Sequence, residues 1–355
     1  MKTKLISLAL IFTLSLTLIA SLAACNNSTE KESDTSTGTE KESSTREEET
    51  LAPPMEVADA DDLSYVQIND SEYSVLGLFS EVGAKKIVIP AEYNGLPVTA
   101  ISEFAFQSSE ALESIVIPDS ITHIGNYAFD GCSNLSTMDI SKNLSFIGMG
   151  AFDGCDSLPL NTYDNGLYIG DNDTPYLIFV SAIDTEIESC TVHKDTRIIY
   201  DGAFFDCTEI DEIIVPDTLS QFGYAINDGC YELFPNNPHN GAFYIGSREN
   251  PFLILVDVSG NPESLEIHED TEIISPYAFE GCTALTSLTL PDGLRFIGES
   301  AFEDCTSLDS VIFPESEWRI LNGEAISTLL LIQSNDEDIA SRLTEIYYYC
   351  TWVRK

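Results

Sequence analysis

Short runs of alternating hydrophobic and polar residues recur along most of the chain, and they share one template. Each copy begins with an apolar strand and turns at a proline or a polar residue. It then enters a short apolar pair ending in Ile-Gly and closes on Ala-Phe-x-x-Cys. Two clear copies are SIVIPDSITHIGNYAFDGC from 114 and SLTLPDGLRFIGESAFEDC from 287. A template that returns at fixed spacing predicts a repeat protein.

The closing cysteines set the spacing of the copies. They are Cys132, Cys155, Cys207, Cys230, Cys282 and Cys305. Successive positions differ by 23, 52, 23, 52 and 23 residues. A coil of 23 residues cannot bury its own apolar face, so the pattern predicts stacked coils whose strands pair in one parallel sheet. Alternate strand residues should then point into the coil.

The two longer intervals each contain an insert, and the inserts resemble each other. One reads NGLYIGDNDTPYLIFV from 165, and the other reads NGAFYIGSRENPFLILV from 240. Each combines an Asn-Gly turn signal, a short strand, a polar loop and a second apolar strand, which predicts a hairpin-like excursion. The match between them indicates that a unit of one plain and one inserted coil was copied whole.

The pattern IxIPxxIxxIGxxAFxxC resembles the BspA-like leucine-rich repeats of bacterial surface proteins, over roughly residues 84 to 314. The segment AKKIVIPAEYNGLPVTAI from 84 is similar to the N-terminal cap of that family. The resemblance implies a curved solenoid displayed outside the cell and used for adhesion or protein binding. The expected fold is a mainly β leucine-rich-repeat superhelix with one parallel sheet, two hairpin-like inserts and a partly helical C-terminal cap.

The last residues, 315–355, depart from the repeat template. Ile339, Leu343 and Ile346 have helical spacing on one face. Because a solenoid needs an atypical terminal unit over its open end, this segment is predicted to be the C-terminal cap of a repeat domain spanning 63–314, whose N-terminal cap covers about 63–104. The aromatic residues of the segment either pack in the cap or form a ligand patch: Tyr347, Tyr348, Tyr349 and Trp352.

The first residues read as an export signal. Lys2 and Lys4 precede an apolar run at 5–19, and the run is followed by the sequence LAAC, which ends at Cys25. LAAC resembles the bacterial lipobox, in which the signal is cut before a cysteine that then receives lipid. The resemblance implies a signal peptide at 1–24 and a lipid on Cys25 that anchors the protein on the extracellular face of the cell membrane. The alternative is an ordinary signal peptide beside a chance cysteine.

Composition and charge limit the partners. Residues 25–62 are rich in Ser, Thr and acidic residues and hold little that could be buried, so they are predicted to form a disordered tether. The whole chain has 59 acidic and 16 basic residues, a net charge of -43. Such a surface repels phosphates, which argues against nucleic-acid binding and against docking on anionic lipid through a basic patch. Expected partners are basic, neutral or bridged by weakly bound divalent cations.

The six repeated cysteines have two interpretations. Strands in a sheet lie about 4.8 Å apart with parallel side chains, whereas a disulfide needs Cβ atoms about 3.8 Å apart and facing. The spacing therefore favours a structural ladder of buried free thiols. Bonds from Cys132 to Cys155 and between the two equivalent pairs remain the alternative.

No sequence motif indicates catalysis or a cofactor. The chain lacks a G-x-S-x-G elbow, an HExxH motif, a phosphate-binding loop and a dinucleotide glycine motif. The cysteines and the four histidines have no zinc-like grouping. We therefore expect a protein that is not an enzyme and has no catalytic residues, cofactor or bound metal.

The candidate partner-binding residues lie at outward strand positions and in the inserts. The strand positions form a mildly acidic strip: Thr137, Asp139, Thr191, Glu212, Ile214, Glu266, Thr289 and Ile312. The inserts add Tyr168, Tyr176, Tyr244 and Phe252, unless these aromatics pack on the solenoid. The expected function is noncovalent binding of a protein or glycan at the cell exterior. The alternatives are an architectural envelope protein and, less favoured, a hydrolase acting on glycans or peptides.

Overall fold

The computed structural model describes residues 53–79, 83–223, 238–321, 330–333, 339–346 and 350–354. The predicted signal peptide, Cys25, Cys230 and the three consecutive tyrosines from 347 lie outside the described residues. Among the described helices, none combines the length and apolar character that crossing a bilayer requires.

Each coil contributes one strand to a ladder that we call the front ladder. Its strands are β1 (Met55–Ala58), β4 (Ala84–Val88), β7 (Ser114–Val116), β9 (Thr137–Asp139), β14 (Ser189–Thr191), β16 (Glu212–Ile214), β20 (Ser264–Glu266), β22 (Ser287–Thr289) and β24 (Ser310–Ile312). Neighbouring strands within a block are parallel and in register, with Ile115 beside Met138. In the repeat strands the middle residue is buried between two more exposed ones, as a period of two requires.

A second set of parallel strands, the back ladder, runs through the same coils. Its strands are β3 (Glu72–Leu78), β6 (Leu96–Ile101), β8 (His123–Ile124), β10 (Phe146–Ile147), β13 (Ile178–Ala182), β15 (Ile198–Ile199), β17 (Gln221–Phe222), β19 (Ile254–Val258), β21 (Ile273–Ile274) and β23 (Phe296–Ile297). Antiparallel partners flank it: β2 (Leu63–Asn69), β5 (Glu92–Tyr93), β11 (Asn161–Tyr163), β12 (Gly166–Ile169) and β18 (Ala242–Ile245). The solenoid expected from the repeat is confirmed, but it carries two ladders rather than one sheet.

The inserts are hairpins, as their pattern of strand, polar loop and strand predicted. β12 pairs antiparallel with β13, and β18 pairs antiparallel with β19. β13 and β19 then join the back ladder by parallel pairing, with Ile178 beside Ile198 and Ile254 beside Ile273. The front ladder is interrupted at both inserts and falls into three blocks, β1-β4-β7-β9, β14-β16 and β20-β22-β24.

Close stacking explains the glycine of the repeated Ile-Gly pair. A Cβ atom at Gly125 would lie 2.4 Å from the backbone nitrogen of Glu103, and one at Gly148 would lie 2.4 Å from that of Asn126. Both contacts are with the preceding coil. Because a backbone atom cannot move aside as a flexible side chain can, these positions require glycine.

The outer face of the back ladder is buried. In a simple open solenoid this face would be in contact with solvent. Ile198 and Ile273 are fully buried there. The side chain of Gln221 accepts a hydrogen bond from the backbone nitrogen of Ile147 at 2.8 Å and donates one to its carbonyl oxygen at 2.8 Å. The segments of the back ladder therefore pack against one another, and coils distant in sequence become neighbours.

The C-terminal cap mixes strand and helix. It contains β25 (Glu317–Leu321), β26 (Leu330–Gln333), a short helix α1 (Ile339–Ser341), a π-helical turn (Arg342–Ile346) and β27 (Thr351–Arg354). Ile339 and Leu343 are buried, as the helical spacing predicted. β27 pairs antiparallel with β23, placing Trp352 beside Ile297. The cap thus extends the back ladder, and its strand content was not predicted.

The predicted end of the tether needs correction. Residues 25–62 were expected to be disordered, yet β1 lies in that range and pairs parallel with β4, Met55 beside Ala84. The strand has only four residues, MEVA, which is too short a run to reveal a period of two beside the acidic segment before it. Its pairing with the first strand of the cap places the start of the folded region at or before Met55.

Candidate binding surface

The predicted strip lies on the front ladder, in groups rather than as one continuous surface. Exposed side chains are those of Thr137, Asp139, Glu212, Glu266, Thr289 and Ile312, while Thr191 and Ile214 are half-buried. Cross-strand register brings Glu266, Thr289 and Ile312 side by side. It also pairs Thr191 with Ile214. We call these eight side chains the front strip.

Two of the four predicted insert aromatics are unavailable to a partner. Tyr168 is fully buried and Tyr244 is 2% exposed. Each phenol oxygen accepts a backbone hydrogen bond, from His193 at 3.1 Å for Tyr168 and from His268 at 3.3 Å for Tyr244. Burial raises the pKa of Tyr244 and of Tyr168. Both residues hold the inserts to the solenoid, and we correct their predicted role accordingly.

The other two aromatics belong to small ring clusters that recur in both inserts. Tyr176 lies 4.2 Å from His193, ring centroid to ring centroid, and Phe252 stacks on His268 at 3.8 Å. Tyr163 and His239 complete the two clusters and were missed in the sequence, although they stand at equivalent positions of the duplicated unit. Their rings lie 4.6 Å from His193 and 5.0 Å from His268, respectively.

The clustered histidines act as acceptors in tight turns. The backbone nitrogen of Asp195 donates to Nδ1 of His193 at 3.2 Å, and that of Asp270 donates to Nδ1 of His268 at 3.2 Å. Burial lowers the pKa of His193, with the Asp195 carboxylate acting in the opposite sense. A neutral imidazole at His193 fits both the backbone donor and the ring contacts.

The front strip meets the second insert at a cleft of about 380 Å³. Glu212 and Ile214 line one side, and Tyr244, Ser247 and Arg248 line the other. The backbone nitrogen of Val215 donates a hydrogen bond to the carbonyl oxygen of Gly246 at 3.2 Å. This bond fixes the insert against the end of β16. We call this space the strip–insert cleft. It joins the predicted strip residues Glu212 and Ile214 to the insert residues Ser247 and Arg248, which were not predicted, in one concave site.

Three of the repeated cysteines share one geometry, with Cys132 and Cys305 buried and Cys155 half-buried. The Sγ atoms of Cys132, Cys155 and Cys305 each donate to the carbonyl oxygen of a phenylalanine in the preceding coil, at 3.1, 3.2 and 3.1 Å. Cys132 and Cys155 are not joined by a disulfide. Burial raises the pKa of Cys132 to about 11 and that of Cys155 to about 12. These thiols are poor nucleophiles and act in packing.

Metal chemistry finds no support in the described part of the chain. No three His, Cys, Asp or Glu side chains there converge as a metal site would require. The carboxylates of the front strip are spread over separate strands, which suits diffuse attraction of cations more than coordination of one ion.

Two stacked ladders of short parallel strands, repeated every coil and closed by phenylalanine and cysteine, define a leucine-rich-repeat solenoid. The profile of the family described as BspA type leucine rich repeat region matches in 6 copies, over residues 64–173, 180–247 and 258–350. These ranges cover well over half of the chain, and the chain belongs to this family.

Similar solved structures include other leucine-rich-repeat proteins. A leucine rich repeat protein of T. pallidum is 20% identical, covers 70% of this chain and 89% of its own, and gives a TM-score of 0.31. A leucine rich cell surface protein of Faecalibacterium prausnitzii is 20% identical over 72% of this chain and 76% of its own, with a TM-score of 0.32. One from Bacteroides ovatus is 21% identical over 72% and 88%, with a TM-score of 0.30. The curated proteins yielded no match.

Proposed function

We propose that this protein is a lipid-anchored, noncatalytic adhesion protein of the bacterial cell surface that binds a macromolecular partner through the front strip and the strip–insert cleft. The observation that carries the proposal is the exposure of Glu212, Glu266 and Ile312 on strands whose buried residues fix their positions. A rigid ladder presents such side chains without the ordering cost that a flexible loop would incur on binding.

Charge defines the partner. Glu212 lies in the strip–insert cleft beside Asp211, and Arg248 is the only basic side chain among its described lining residues. With a chain charge of -43, association with a basic protein surface is accelerated at low salt and slowed by added salt. The preferred partner is therefore a protein with an exposed basic patch, and a neutral glycan is the second choice.

The test is capture from cell-surface extracts by the purified full-length chain, with two charge-reversal variants compared. Glu212→Lys changes the strip–insert cleft, whereas Glu280→Lys places the same charge change on an exposed turn away from it. We expect a partner retained by the parent chain and by Glu280→Lys to be lost with Glu212→Lys. Equal retention by all three chains would contradict binding at this site.

Anchoring is tested separately from binding. The sequence LAAC and the acidic segment after it support lipid attachment at Cys25. Metabolic labelling with radioactive palmitate should mark the parent chain and leave Cys25→Ser unlabelled. Labelling of both chains to the same extent would remove the anchoring proposal and leave the binding proposal intact.

A further inference from the structure

A row of large apolar side chains lies in the turns that lead from the back ladder to the front ladder in four successive coils. Phe79, Phe104 and Met149 are 84%, 47% and 44% exposed. Tyr127 is half-buried, and its ring stacks on that of Phe104 with a centroid separation of 5.5 Å. We call these four side chains the corner patch. Apolar residues that are exposed as a group, rather than singly, mark interaction sites.

The corner patch is contiguous because its coils are in direct contact. The backbone nitrogen of Tyr127 donates a hydrogen bond to the carbonyl oxygen of Met149 at 2.9 Å. A Cβ atom at Gly77 would lie 2.2 Å from the carbonyl oxygen of Ala105. Because Gly77 stands two residues before Phe79, the first two coils of the patch approach as closely as their backbones allow. The four side chains therefore form one surface.

The backbone at Phe104 and Tyr127 favours glycine over an aromatic residue. Their φ angles are 56° and 53°, in the left-handed region. Each stands immediately before the repeated Ala-Phe dipeptide, and at that position later coils carry Gly150 and Gly202, with φ angles of 63° and 70°. The coil therefore folds with glycine there, without the strain that a side chain adds. Two rings kept at such positions indicate a role at the surface.

Charge selects the partner of the corner patch. Lysine, arginine and histidine are absent from the sequences of its four turns, 74–79, 102–109, 125–132 and 148–155. Burial raises the pKa of Tyr127, and the nearby carboxylates of Asp153 and Asp130 add to the rise. An apolar surface edged with carboxylates repels anionic lipid, and it repels a second copy of a chain whose net charge is -43. It attracts a partner that is both apolar and basic.

We propose that the corner patch docks an amphipathic segment of a partner protein. The apolar face of that segment packs against Phe79, Phe104 and Met149, and its lysine or arginine residues lie against Asp130 and Asp153. Basic side chains of this kind also bind the faces of aromatic rings. The corner patch contains no residue of the front strip, so the proposal does not rest on the proposed adhesion function.

The probe for the test is a fluorescent synthetic peptide of leucine and lysine, ordered so that it forms an amphipathic helix. Its control is a peptide of the same composition in scrambled order, which keeps the charge and loses the apolar face. Fluorescence anisotropy with the full-length chain at physiological salt should show the ordered peptide binding at least about tenfold more tightly. Added salt should weaken its binding, because the carboxylates contribute to the attraction.

Matched variants locate the binding. Phe104→Gly removes a ring of the patch and suits the left-handed backbone, so the variant should fold. It should weaken binding of the ordered peptide about tenfold, as loss of an aromatic anchor does. Val57→Ser removes a side chain that is 54% exposed on β1 in the front ladder, and it should leave the dissociation constant unchanged. Asp130→Asn should weaken binding, whereas Glu280→Gln, at the same repeat position of a C-terminal coil, should not.

Three results would overturn the proposal. The first is equal affinity of the parent chain and Phe104→Gly, and the second is equal affinity of the two peptides. The third is binding to anionic vesicles, or self-association in sedimentation, that Phe104→Gly abolishes, because the patch would then belong to a lipid surface or to a second copy. If Phe104→Gly failed to fold, Phe79→Ser would replace it. None of these variants alters the front strip, so each result is separate from the capture test of the proposed function.

Discussion

At the scale of single residues, the cysteines that close the coils are defined by what their thiols contact. Cys132 is fully buried, and its Sγ donates to the carbonyl oxygen of Phe106, whose ring stacks on Phe129 at 5.4 Å. The sequence spacing predicted a structural cysteine at this position. The hydrogen bond to the preceding coil gives the reason for a thiol rather than a plain apolar side chain.

Thiol chemistry checks this role. At about pH 8, iodoacetamide should leave Cys132 and Cys305 unmodified in the folded protein, because burial raises their pKa values to about 11 and about 12. After unfolding without reductant, both should react, as mass spectrometry of the peptides will show. Labelling in the folded chain would contradict the burial, and failure to label the unfolded chain would restore the disulfide alternative.

His123 should make stability depend on pH. Its Nε2 is buried without a hydrogen-bond partner, and burial, with the nearby Arg319 charge, lowers its pKa from 6.5 to about 4. The unfolded chain therefore takes up this proton first, and stability should fall by up to about 3 kcal/mol between pH 6.5 and 4. Urea unfolding across this range measures the loss.

Matched substitutions separate His123 from the many carboxylates. His123→Phe should flatten the decline in unfolding free energy, whereas His239→Phe, at a half-buried histidine near the surface, should leave it unchanged. An identical decline in His123→Phe would show that another group causes it, with Glu72 the nearest candidate because its pKa is also perturbed.

At the scale of elements, Gln221 joins two strands that are not neighbours in either ladder. Its side-chain amide forms hydrogen bonds with both the backbone nitrogen and the carbonyl oxygen of Ile147. A side chain of β17 therefore satisfies backbone groups at the edge of β10. Gln221→Ala would leave two buried backbone groups unsatisfied. At about 1 to 3 kcal/mol for each, the free energy of unfolding should fall by about 2 to 6 kcal/mol.

An exposed glutamine supplies the control for this element contact. Gln107 also bonds across a coil, donating from Nε2 to Asp130 at 2.9 Å, but on the surface. Gln107→Ala should change the unfolding free energy by less than about 0.5 kcal/mol. Similar small losses in both variants, measured by urea unfolding, would show that the contact between β17 and β10 carries little stability.

The sequence predicted those elements whose signal is local. The strand period, the Ile-Gly turns and the duplicated hairpins all lie within one coil or one insert. The back ladder was not predicted, because most of its strands in the repeat coils have only two residues and are too short to show a period of two. A clue was present in Ile198, Ile273 and Phe296, which are apolar at positions that an open solenoid would expose.

At the scale of the whole molecule, the ends of the solenoid touch. Arg319 in β25 donates to Glu72 in β3 at 3.2 Å, across 247 residues of sequence. Both side chains are largely buried, and Glu72 also accepts from Thr99 and Asn69, each at 2.7 Å. No sequence pattern at short range predicts this pairing, because it depends on how many coils precede the cap and how they curve.

This contact should act as a clamp between the two caps. Removing one partner leaves a buried charge without compensation, so Arg319→Met and Glu72→Gln should each lower the unfolding free energy by about 3 to 5 kcal/mol. The double variant should lose much less unfolding free energy than the two single losses added together, because neither buried charge is then left without its partner. Lys85→Met, which breaks the exposed pair with Glu56, should lower the unfolding free energy far less, because solvent screens that pair. Urea unfolding measures these free energies. If the Arg319 and Glu72 variants each lost as little as Lys85→Met, and the losses added in the double variant, the contact between the caps would not stabilise the solenoid.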